Sequence, residues 1–100
     1  LPRPKAADLP GLPAVVQRSQ ACLRQGEAYL LGTSADRLFL GRGATPAEQE
    51  FQRGLQEKLE EIQAMLAELT GPNPTAPVVA AAQAVCDAVD ALIGGREWSL

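Results

Sequence analysis

The sequence predicts an all-α fold, a small up-and-down bundle of three main helices plus a short fourth. Three observations carry this expectation. Of the 100 residues, 46% are apolar but only 4% aromatic, so the core must be mostly Leu, Val and Ala. Such side chains let helix axes approach closely, whereas the β-branched and aromatic residues of a large sheet are sparse. Apolar positions recur at steps of three and four along three segments, the period of one helix face. The links between those segments are short, as in antiparallel bundles. A chain of this length supports one domain with one core and modest stability.

The elements follow in order. Leu1–Pro13 carries four prolines and a glycine. Proline fixes φ and removes an amide donor, so residues 1–11 read as an extended tether ahead of a bundle domain at 12–95. The first helix starts near Leu12, with Pro13 tolerated in its first turn. Val15, Val16, Ser19, Cys22, Leu23, Gly26, Tyr29 and Leu30 share one broad face. Gly26 weakens the middle, so the helix either stops there or runs on to Leu31, with Gly32 ending it. Ser34–Gly43 reads as the short fourth helix, capped by Thr33 or Ser34, with a short strand near Phe39 as the alternative. Residues 41–45 form a glycine-rich link without the ending of a phosphate loop.

The clearest element spans Thr45–Pro72. Thr45 at the N-cap, Pro46 at the first helical position and Glu48 three after the cap form a capping box. Phe51, Leu55, Leu59, Ile62, Leu66 and Leu69 then make one stripe, and Gly71 and Pro72 stop the helix. The last helix lies within Asn73–Gly95, capped by Asn73 or Thr75 and ended by Gly94. Its buried face is Val78, Val79, Ala82, Val85, Cys86, Val89, Leu92 and Ile93. Residues 96–100 are left as a C-terminal tail carrying the single tryptophan.

Composition disfavours several function classes. With 9 basic and 12 acidic residues the net charge is −3, and no basic stripe is present, so no nucleic-acid partner is expected. Histidine is absent, which removes the commonest metal ligand and the commonest general base. Two cysteines far apart in sequence do not make a zinc site. The acidic run Glu57–Glu61 reads as a solvated helix face, with Lys58 beside it. Serine, lysine and aspartate fall in no nucleophile motif. The expectation is therefore a non-enzymatic protein, with neither metal nor cofactor. No apolar run is read as long enough to cross a bilayer, and no charged-then-apolar leader opens the chain. A lipid anchor or a removed signal stays compatible with a trimmed N-terminus.

Cys22 and Cys86 lie on the apolar faces of the first and last helices. Two uses fit them. An even count on two core faces suits a disulfide, which would stabilise a small fold and imply an oxidising compartment. Two buried free thiols acting as small hydrophobes are the other use. A catalytic thiol fits poorly without a histidine or a CxxC pair. A further surplus lies in Tyr29–Gly41, where Tyr29, Leu30, Leu31, Leu38, Phe39 and Leu40 exceed what a small core needs. Of these, Tyr29, Leu30, Leu38, Phe39 and Leu40 are the candidate partner-binding residues, forming a groove for an amphipathic helix of a protein partner. Service as the fourth side of the core is the alternative.

The Pro-rich leading segment, Cys22 in the first helix, Cys86 in the last and the helix order between them resemble the helical pilotins of type II secretion systems. The resemblance spans Leu12–Gly94. It implies a four-helix bundle with a disulfide between first and last helices, holding a helical tail of a secretin subunit. It also implies a periplasmic or exported setting and a lipid-bearing cysteine that this sequence lacks. The alternative function is a cytosolic secretion-type chaperone or regulatory subunit with reduced cysteines.

Overall fold

Gly11 takes a left-handed φ of 77°, a conformation that costs a side chain-bearing residue steric strain. It closes a turn in which the Leu12 amide donates to the Leu9 carbonyl at 3.2 Å and the Val15 amide to the Gly11 carbonyl at 3.0 Å. The computed structural model describes residues 9–40 and 45–99, with side chains at 9–33 and 45–95. Three helices follow the turn: α1 (Leu12–Leu40), α2 (Pro46–Leu69) and α3 (Ala76–Ser99). No strand occurs among the described residues.

The expected short fourth helix is corrected, since α1 runs unbroken through Gly26, Gly32 and on to Leu40. A glycine inside a helix costs about 1 kcal/mol relative to alanine, too little to break a helix that is packed on one side. Thr33 helps locally, because its hydroxyl donates to the Tyr29 carbonyl at 2.8 Å and so stays within the helical ladder. Phe39 therefore lies in a helix rather than a strand. The same correction applies at the other end, where α3 continues past Gly94 and Gly95 to Ser99, so residues 96–99 are helical.

The beginning of α2 matches its sequence signature. The Glu48 amide donates to Thr45 Oγ1 at 3.1 Å, Thr45 is extended, and Pro46 opens the helix. Thr45→Ala should cost about 1 kcal/mol, measured by urea denaturation. At its end the helix closes on Thr70, whose amide and hydroxyl both donate to the Leu66 carbonyl, at 2.9 and 2.7 Å.

Two buried clusters fix the topology. One joins Leu12 and Val15 from the start of α1, Leu69 from the end of α2, and Val79 and Ala82 from the start of α3. The other joins Cys22, Leu55, Leu59, Ile62, Val85, Cys86, Val89 and Ile93. Numbers rise along α1 and α3 while they fall along α2, so α2 runs antiparallel to both neighbours. Met65 packs against both clusters and makes the core continuous. Leu9 packs against the first cluster, tying the end of the leading segment to the bundle.

One helix exceeds the apolar length that the sequence reading found in the chain. Ala76–Gly95 is long and apolar enough by length and composition, with a mean hydropathy of 1.6. Its alanines and valines raise the average enough to carry Asp87 and Asp90. In the bundle its Val79, Ala82, Val85, Cys86, Val89 and Ile93 are buried, the arrangement of a core helix.

Candidate functional site

Ser19 and Cys22 stand one turn apart on α1, and both face α3. Ser19 is fully buried, and its Oγ lies 3.8 Å from Cys86 Sγ, a weak sulfur hydrogen bond. Cys22 and Cys86 belong to the same buried cluster. The sequence thus placed both cysteines correctly on facing core surfaces. The disulfide expected between them is not formed, because the sulfurs are not at bonding distance and both thiols are free. Burial is the main reason that the Cys22 thiol is pushed up to about 12, with the neighbouring Cys86 adding to it. A thiol so held is a poor nucleophile, in keeping with a packing role in the closed bundle.

Beside this pair, at the surface, Arg18 bridges α1 to α3. Its Nη2 donates to Asp87 Oδ1 at 2.6 Å and to Asp90 Oδ2 at 3.0 Å. The hydrogen bonds to Asp87 and then Asp90 push the guanidinium further above its ordinary value. All three side chains are substantially exposed, so the network orients the seam more than it stabilises it. Asp87 and Asp90 are exposed positions flanking the buried face of α3. The arginine that engages them lies on another helix, and no local pattern announces it.

The candidate partner-binding residues divide into two groups. Tyr29 and Leu30 are half-buried and pack against the core cluster of Cys22 and Leu59. The Tyr29 ring sits 6.1 Å from that of Phe51 at a tilt of 56°, a favourable aromatic arrangement. Leu38, Phe39 and Leu40 lie in the last turns of α1, and their side chains are outside the described residues. Leu31 is the one large hydrophobic among the described side chains that stands out of the fold, at 73% exposed.

An open depression of about 400 Å³ lies at the beginning of α2, lined by Pro46, Gln49, Glu50 and Arg53. Its walls are mostly polar, so it does not provide the expected apolar groove. Among the described residues no group of three or more His, Cys, Asp or Glu side chains could hold a metal ion. Comparison with protein-family models, curated proteins and solved structures gives no match.

Proposed function

We propose that this chain is a non-enzymatic helical adaptor that binds an amphipathic helix of a protein partner along the C-terminal half of α1. The observation that carries this reading is the unabsorbed apolar surface there: Tyr29 and Leu30 are only half-buried, and Leu31 is 73% exposed. An exposed leucine beside a half-buried aromatic pair offers a partner helix an anchor point. A secretion-system pilotin in the periplasm is the most concrete form of such an adaptor, though the fusion of the fourth helix into α1 departs from the helix order of that family.

A second reading is a cytosolic chaperone or regulatory subunit. One observation favours it: both thiols are free and the core packs around them without a bridge. The redox state of the protein isolated from its native source separates the two settings.

The binding reading is tested by fluorescence anisotropy with a labelled amphipathic helical peptide and a scrambled peptide of the same composition. Binding of the first alone is expected, weakened at least tenfold by Leu31→Asp. Because Leu31 is exposed, that variant should keep its stability within about 0.5 kcal/mol. Equal binding of both peptides, or an unchanged affinity in Leu31→Asp, would overturn the proposal.

A further inference from the structure

Gly26 on α1 and Leu59 on α2 approach each other closely, which marks the flank where these two helices meet. Leu23 and Leu30 stand three before and four after Gly26, so they share that flank. Val16 extends the row two turns before Leu23. All three are half-buried, packing one side against a core cluster and leaving the other outside. On α2, Gln52, Gln56 and Gln63 stand seven before, three before and four after Leu59, so they border the same groove. Gln56 and Gln63 are exposed there.

Charge is placed elsewhere. Among the described residues, Glu57, Glu61 and Glu68 are exposed on the far flank of α2. Arg18, Asp87 and Asp90 are paired across the α1–α3 seam. Glu27 and Glu60 stand at the outer edges of the α1–α2 groove. An apolar row with a glutamine border and charge kept to the rim has the composition of an interface centre. The chain carries a net charge of −3, so two copies repel each other over most of their surface and meet at least cost on this flank. The row is also self-complementary. Val16 and Leu30 lie seven positions to either side of Leu23. A two-fold axis through Leu23 therefore sets Leu23 against its own copy and Val16 against Leu30 of the partner subunit.

We propose that this chain forms a weak antiparallel homodimer through the α1–α2 flank, with Leu23 on the two-fold axis. From Val16 to Leu30 is about 21 Å of helix. Across a body 21 Å wide, that makes a patch of about 400 Å² per copy, roughly half the share of a standard interface and on the scale of a concentration-dependent association. This flank lies beside the outer face of α1 that presents Leu31, so the dimer is a separate matter from the binding of a partner helix there.

Sedimentation equilibrium of the full chain, from micromolar concentrations to about 0.5 mM, reads the association directly. The mass is expected to rise with concentration from 10.6 kDa toward twice that value. Gln20 supplies the register test, because it is exposed and the two-fold places it beside Glu27 of the partner subunit. Gln20→Glu should weaken the dimer about tenfold and Gln20→Lys should strengthen it by a similar factor, both effects fading at high salt. Leu23→Glu should abolish the dimer. The Gln20 variants change only a solvated side chain, so they decide the matter even if Leu23→Glu folds poorly. A chain that stays at 10.6 kDa throughout would overturn the proposal. A dimer indifferent to both Gln20 substitutions, or shifted in the same direction by both, would overturn it as well. A monomeric chain that binds the labelled amphipathic peptide and loses that binding in Leu23→Glu would assign the flank to a foreign helix and exclude the homodimer.

Discussion

Ile62→Ala is expected to remove about 3–4 kcal/mol of stability and to lower the melting temperature by about 20 °C. Ile62 is fully buried in the cluster that contains Cys22 from α1 and Val85, Cys86 and Val89 from α3. Truncating it removes buried methyl groups at the point where all three helices meet. The space left behind is walled by side chains of three separate elements, so relaxation of any one of them fills little of it. A domain of this size has on the order of 5–15 kcal/mol of stability, so the variant should sit close to unfolding at physiological temperature. Gln63→Ala, at the adjacent exposed position, provides the control and should change stability by less than about 0.5 kcal/mol. Chemical denaturation of both variants checks the pair. A loss under about 1 kcal/mol at Ile62 would contradict its place at the centre of the bundle.

A second large effect is expected at Gly26. A Cβ built there would lie 2.5 Å from Leu59 Cδ2, 2.8 Å from Cδ1 and 3.1 Å from Cγ. Leu59 is itself buried, so its methyl groups cannot swing away without displacing core neighbours. Gly26 is thus a place where the backbone of α1 closely approaches a side chain of α2. Gly26→Val should destabilise the bundle by about 3 kcal/mol through overpacking. Gly54, on α2, is the informative contrast. A Cβ there meets nothing within 4 Å, so Gly54→Ala should stabilise the protein by about 0.5–1 kcal/mol through reduced backbone entropy in the unfolded chain. Combining Gly26→Val with Leu59→Ala should restore part of the loss, because one substitution vacates the volume that the other fills. Thermal melts of the single and double variants test this coupling. Strict additivity would sink the account of Gly26 as a close-packing site.

These two positions also show what could be read from the sequence. Ile62 was legible because it belongs to a stripe whose period matches a helix and whose start is marked by Thr45, Pro46 and Glu48. Leu55, Leu59, Ile62 and Leu69 are all buried, as that period requires. Gly26 was legible only as a weak helix former. Its use is a contact with a leucine 33 positions away, which local propensity does not encode. Gly32 and Gly94 misled for a related reason. Glycine was read as punctuation, yet flanking helix formers and one-sided packing outweigh its modest cost.

At the candidate site, periodicity placed Cys22 and Cys86 on facing helices but could not give their redox state, which depends on environment as well as geometry. Tyr29 and Leu30 were read as surplus to a small core, with service as its fourth side the alternative. Both are half-buried against the larger core cluster. The Arg18 link to Asp87 and Asp90 joins residues about 70 apart in sequence, beyond the reach of any pattern along one helix.

The topology has a kinetic consequence. The α1–α2 and α2–α3 pairs are each made by neighbouring helices, whose contacts form at modest loop-closure cost. Such local pairings place the chain among the fast folders, in the microsecond-to-millisecond range. The α1–α3 seam closes the longest loop, so it carries the largest loop-closure cost of the three helix pairings. Cys22 and Cys86 share the buried cluster on that seam, so contact between them reports its closure.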